Sequence, residues 1–170
     1  MRVLRCLCII ALVISACPAG AGEDGQTEVI AIDIRGFETL LGRAEGRVLL
    51  VNIWATWCLP CVEEFPDLLK LRETYRDKGL EVAFISIDDP RSLKHEVMPF
   101  LRRMGVSFPT YIKDVDDDEA FINAIYREWS GAVPATFVYD RKGKISSFLI
   151  EARTFTELSE VVGPLLEGNP

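Results

Sequence analysis

Hydrophobic and polar positions divide this chain into short alternating blocks. Glu28 to Ile34 alternates apolar and polar residues, the pattern of a half-buried edge strand. Phe37 to Leu41 fits a short helical turn. Val48 to Trp54 is a near-continuous apolar run of β-prone residues, as expected for a central strand buried on both faces. A helix follows from Cys61 to Asp77-Lys78, with Pro66 inside it as a kink and Gly79 as its C-terminal stop. Leu80 to Ile87 is a second apolar strand, ended by the turn Asp88-Asp89-Pro90. Strand, helix and strand in this order predict a right-handed parallel βαβ unit.

Ser92 to Met104 has helical periodicity, closed by Gly105, and Phe108 to Ile112 is a short extended piece. Asp118 to Trp129 reads as one helix, with Phe121, Ile125 and Trp129 on one face. Pro134–Tyr139 and Lys144–Ile150 form a hairpin through Asp140-Arg141-Lys142-Gly143. Thr154 to Leu166 is a terminal amphipathic helix with Thr154 as its N-cap. The order predicts an α/β fold: a mixed β-sheet flanked by helices on both faces.

The first residues stand apart. Arg2 and Arg5 precede an apolar stretch from Cys6 to Ala16, short of the roughly 20 residues of a bilayer crossing. Ile14-Ser15-Ala16-Cys17 looks like a lipobox, the cleavage and lipidation signal of bacterial lipoproteins. On that reading residues 1–16 are a signal peptide, Cys17 carries the lipid, 17–27 are a tether and 28–167 form the domain. The alternative is an ordinary secretory signal cleaved near Ala19 or Ala21. Either way the protein is expected outside the cytoplasm, in a periplasmic or equivalent compartment.

Composition narrows the chemistry. The 170 residues are 49% hydrophobic and 26% charged, enough for one domain with a real core. A net charge of −7 and no basic run argue against nucleic acid as a partner. Of five cysteines, Cys6 and Cys8 lie in the signal segment and Cys17 at its end. Only Cys58 and Cys61 remain, in a compartment where disulfides persist. Their C-x-x-C spacing follows a strand and opens a helix, whose unpaired N–H groups favour a thiolate. That arrangement suits making and breaking one disulfide.

Other uses of the pair fit less well. Zinc needs about four ligands, and His95 is the only histidine. No metal is expected. Haem attachment would need His at position 62, which is Val. A copper-handling pair is usually spaced C-x-x-x-C, one residue longer than this one. A T-x-x-C peroxidase arrangement is missing, since Thr56 lies only two residues before Cys58. Asp114-x-Asp116-x-Asp118 fails as a calcium loop because Glu119 and Ile125 replace the required Gly and Glu. The acidic run is expected to cap a helix and stay solvated. His95 is expected at the surface and Trp129 in the core.

Asn52, Trp54, Ala55, Trp57, Cys58, Pro60, Cys61, Glu64 and Pro66 together resemble the pattern N-x-W-A-x-W-C-x-P-C-x-x-E-x-P. It is the pattern of the thioredoxin superfamily, and more narrowly of membrane-anchored TlpA/ResA-type thiol-disulfide oxidoreductases. Val133-Pro134 before Thr136-Phe137-Val138 looks like the superfamily's cis-proline segment. The resemblance spans about Glu28 to Leu166 and implies a thioredoxin-like fold. It implies that Cys58 is an exposed attacking thiolate, Cys61 a buried resolving thiol and Glu64 a carboxylate that trades a proton with it. It places Trp57, Leu59, Pro60, Val133 and Pro134 on a substrate-binding surface. No cofactor is implied beyond the redox-active disulfide itself.

Exported proteins are the implied substrates, with apocytochrome c in cytochrome c maturation leading. A membrane electron carrier of the DsbD/CcdA type is the implied source of electrons. Two departures matter. Asn52 stands where thioredoxins carry a buried Asp, shifting acid/base duty to Glu64. Leu59-Pro60 lacks the His of strongly oxidising sites, so a reducing role is expected. The rival reading is a copper-handling or partner-clamping module using the same dithiol without turnover.

Overall fold

The computed structural model describes residues 27–168. The assignments to residues 1–16, to Cys17 and to all but the last residue of the tether lie outside them. The elements run β1 (Val29–Ile32), α1 (Ile34–Arg43), β2 (Val48–Trp54), α2 (Leu59–Tyr75), β3 (Leu80–Ser86), α3 (Met98–Arg103), β4 (Thr110–Lys113), α4 (Asp118–Ile125), β5 (Ala135–Tyr139), β6 (Ile145–Ile150) and α5 (Phe155–Glu167). The six strands form one mixed sheet in the order β1-β4-β3-β2-β5-β6. β1 to β4 run parallel, and β5 lies antiparallel to both β2 and β6.

Every residue of β2 is buried, because side chains on both faces meet helices. Val48, Leu50 and Trp54 face a core built with Phe65, Leu68 and Leu71 of α2, Phe100 of α3 and Leu158 and Val162 of α5. Leu49, Val51 and Ile53 face the opposite core, with Phe37 and Leu40 of α1 and Phe121 and Ile125 of α4. The alternation of strand side chains thus accounts for helices on both faces. No helix among the described residues is long and apolar enough to cross a membrane.

Most predicted elements are present, with local corrections. The turn at Phe37 to Leu41 is a full ten-residue helix, opened by Asp33, whose carboxylate accepts the Gly36 N–H at 2.7 Å. The predicted helix from Ser92 to Met104 begins instead as a π-helical turn, Leu93–Val97, before α3. Pro99 explains the break: it has no N–H to donate and is tolerated only in a first helical turn. α4 stops at Ile125, not Trp129, because Tyr126 is extended. Its ring packs on Phe148, with centroids 5.1 Å apart. Trp129 still reaches the core, and its indole N–H donates to the Ala132 carbonyl at 2.8 Å.

Gly79 does end the α2 segment, through a short 3-10 turn and a left-handed φ of 95°. Asp117 caps α4 by accepting the Ala120 N–H at 2.9 Å. Thr154 and Glu157 form a reciprocal capping box on α5.

Candidate active site

The two cysteines sit where β2 hands over to α2. Cys58 is the N-cap residue, and its Sγ accepts the Cys61 N–H at 3.3 Å. A sulfur in this position meets both an unpaired backbone donor and the positive end of a 17-residue helix. Cys58 and Cys61 are joined as a disulfide, with Cα atoms 5.3 Å apart. Cys58 is less exposed than expected, keeping 6% of its surface, because it packs into the core beside Trp54 and Ala55. The asymmetry of the pair persists, since Cys61 keeps none.

Exposed apolar groups flank the disulfide. Trp57 and Leu59 each retain 66% of their surface, and Pro60 is exposed beside them. The Val133–Pro134 peptide bond is cis. The antiparallel register pairs Ile53 with Ala135, which sets Pro134 opposite the end of β2, at the mouth of the same loop. All five residues assigned to a substrate surface therefore gather at this end of the sheet. His95 is exposed and borders a cleft with Thr56, Trp57, Glu96 and Arg103. Among the described residues no group of three or more His, Cys, Asp or Glu could hold a metal ion.

Glu64 lies three residues after Cys61, on the same face of α2. It is buried, 4% exposed, whereas its neighbour Glu63 is solvated. The Asn52 side-chain amide donates to Glu64 Oε1 at 2.8 Å and to Thr136 Oγ1 at 3.0 Å. The Arg153 backbone N–H donates to Glu64 Oε2 at 3.0 Å. Burial pushes the Glu64 carboxyl above the usual carboxylate range, while the Arg153 N–H, the Asn52 amide and the Arg153 charge pull the other way. Asn52 thus acts through Glu64 rather than merely vacating an acidic position. Among the described residues, its Oδ1 and Arg153 Nε are buried polar atoms of this group with no hydrogen-bond partner.

The sign of the resulting pH dependence follows. A carboxyl whose folded-state value is raised favours the folded state below its unfolded value near 4.3. That contribution is lost as pH rises through the folded value. Glu64→Gln, which never ionises, should therefore gain stability relative to the native chain between about pH 4 and neutrality. Urea midpoints at both pH values measure it. A difference that shrinks with rising pH would reverse the assignment.

Two contributors were not found from the sequence. Arg153 meets Glu64 across 89 positions, and no spacing rule connects them. The sequence places Asp88 in the turn after the second apolar strand and does not show that it is buried. Its carboxylate accepts from Thr56 N–H at 3.0 Å, Thr56 Oγ1 at 2.6 Å and Ser86 Oγ at 2.6 Å. It fastens the end of β3 to the loop that presents Trp57 and Cys58. An acid directly after a buried strand, opposite a C-x-x-C loop, was the available signal.

The Redoxin family model matches residues 36–162, most of the chain. The chain belongs to the Redoxin family. A thiol-disulfide oxidoreductase ResA from Geobacillus kaustophilus is 29% identical over 127 residues, covering 75% of this chain and 68% of the relative. The thioredoxin-like protein YneN of Bacillus subtilis is 32% identical over 127 residues, covering 75% of this chain and 70% of that one. A secreted thiol-disulfide isomerase from Corynebacterium glutamicum superposes with a TM-score of 0.63 at 26% identity, over 75% of each chain. A thiol:disulfide interchange protein from Chlorobium tepidum superposes at 0.62 and 23% identity, covering 74% of this chain and 83% of that one; this likeness speaks for the fold alone. The protein is a ResA/TlpA-type thiol-disulfide oxidoreductase of the thioredoxin superfamily, with the Cys58–Cys61 pair as its C-x-x-C.

Proposed function

We propose that this enzyme reduces disulfides of exported proteins. The observation that carries the reading is Cys58 at the N-cap of α2, its sulfur bonded to the Cys61 N–H and ringed by exposed Trp57, Leu59 and Pro60. Reduced Cys58 attacks one sulfur of a substrate disulfide, and the other leaves as a thiolate. The Cys61 thiolate then attacks Cys58 Sγ. This closes the Cys58–Cys61 disulfide and releases the second substrate thiolate. Two electrons pass from the dithiol to the substrate, with no further cofactor. Glu64 takes the Cys61 proton before that second attack and returns it on re-reduction. Val133 and Pro134 offer backbone to an extended substrate segment beside the pair.

Lipidation at Cys17 would hold the domain outside the cytoplasm at a membrane surface. The secreted relative from Corynebacterium glutamicum supports an extracytoplasmic site. A membrane carrier of the DsbD/CcdA type would restore the dithiol, and apocytochrome c is the leading substrate. The apolar Leu59 between the cysteines supports a reductant.

Insulin reduction by the mature chain tests the reading. Dithiol-dependent turnover is expected, with a pH profile altered in Glu64→Gln. Stoichiometric copper binding without turnover would favour the metal-handling alternative. An unchanged profile in Glu64→Gln would remove its proton role.

A further inference from the structure

The four parallel strands begin at the pole opposite Cys58, and the chain enters the domain there. Thr27 Oγ1 donates to the Val106 carbonyl at 2.7 Å, and the Thr110 N–H donates to the Glu28 carbonyl at 2.9 Å. β4 joins β3 only from Ile85 onward, which leaves a gap beside the first half of β3. A cavity of about 260 Å³ opens in it, lined among others by Arg47, Arg72, Arg76, Glu81, Phe108 and Tyr111.

Three guanidinium groups therefore share one cavity with a single carboxylate. Arg47 pairs with Glu81, and Arg76 with exposed Asp77. Arg72 is held 3.7 Å from the Phe108 ring centroid and, among the described residues, has no hydrogen-bond acceptor. Its burial and the charge of Arg76 both disfavour its ionised form, opposed by Glu81. Helix dipoles explain basic residues at the end of α2. They do not explain why Arg47, ahead of β2, converges on the same space. A planar guanidinium fixed on an aromatic ring and lacking an acceptor suits a phosphate oxygen pair.

We infer that this cavity is a phosphate site whose occupant is the headgroup of an anionic phospholipid. The inference rests on the lipid-anchor reading of Cys17. On that reading the pole at Thr27 is the one joined to the bilayer, through residues 17–27, which extend at most about 40 Å. The chain as a whole carries −7, which an anionic surface repels. Cations gathered at the tethered pole make contact favourable there and turn the Cys58 pole toward solution.

The test uses the mature chain with Cys17→Ser, which removes any contribution from an acyl group. Co-sedimentation compares vesicles of phosphatidylcholine alone with vesicles of equal parts phosphatidylglycerol and phosphatidylcholine. Binding to the anionic vesicles is expected, weakening with salt. The Arg72→Gln/Arg76→Gln double variant should bind about twenty-five-fold more weakly, roughly fivefold for each cation near the surface. Its insulin reduction should be unchanged, which shows that the fold and the dithiol are intact. Equal binding of both vesicle types, or no loss in the double variant, overturns the site. Saturation by inorganic phosphate with no preference for anionic vesicles overturns the lipid occupant. The intact mass of the exported chain tests the anchor separately: an unmodified Cys17 with arginine-dependent vesicle binding refutes the anchor and supports the site.

Discussion

Cys58→Ser should abolish insulin reduction, with a loss of about a thousandfold or more, to the uncatalysed background. Cys61→Ser should lose turnover to a similar extent but fail at a different step. Cys58 sits at the helix N-cap, keeps 6% of its surface and lies between two exposed apolar side chains. It can therefore meet a substrate disulfide, and its thiolate is stabilised there. Cys61 is fully buried, so its only accessible target is Cys58 itself. Without Cys61 the mixed disulfide has no resolving thiol and accumulates. Intact mass spectrometry and non-reducing gels should show substrate adducts on Cys58 in Cys61→Ser. Adducts of equal yield on Cys61 in Cys58→Ser would refute the asymmetry.

Phe65→Ala should destabilise the domain by about 3–5 kcal/mol, the range for deleting a buried aromatic side chain. Phe65 has no exposed surface, and its ring centroid lies 4.6 Å from Phe84 and 5.0 Å from both Trp54 and Phe100. Truncation opens a cavity under the helix that carries Cys61 and Glu64. Domains of this kind are stable by only about 5–15 kcal/mol, so a large share of the margin would go. Trp57→Ala provides the contrast. Trp57 is 66% exposed, and surface changes usually stay within about 0.5 kcal/mol. It should weaken substrate engagement while leaving the urea midpoint nearly fixed. Comparable stability losses in both variants would contradict the division between core and docking surface.

The legible part of this molecule was local. The apolar run Val48 to Trp54, the cysteine spacing and the turn residues around Gly79 and Asp140 each act over a few positions. They identified β2, the start of α2 and the β5–β6 hairpin. At the end of α4 a neighbour distant in sequence decided the outcome. α4 ends at Ile125 because Tyr126 meets Phe148, which a helical period through Trp129 does not reveal. The π-helical turn before α3 had a local cause, Pro99, but periodicity alone passed over it.

The site divides along the same line. The sequence by itself determined that two thiols open a helix after a buried strand, with a carboxylate one turn further on. These are consequences of spacing along one backbone. Only the tertiary structure decided that Glu64 is buried rather than solvated like Glu63, because burial depends on what packs above the helix face. The partners of Glu64 come from β2 and from the segment before α5, and the anchor of the Cys58 loop comes from the end of β3. Hydrogen bonds between such segments depend on sheet order and register. Those are settled by the collective packing of two cores, not by any stretch read alone.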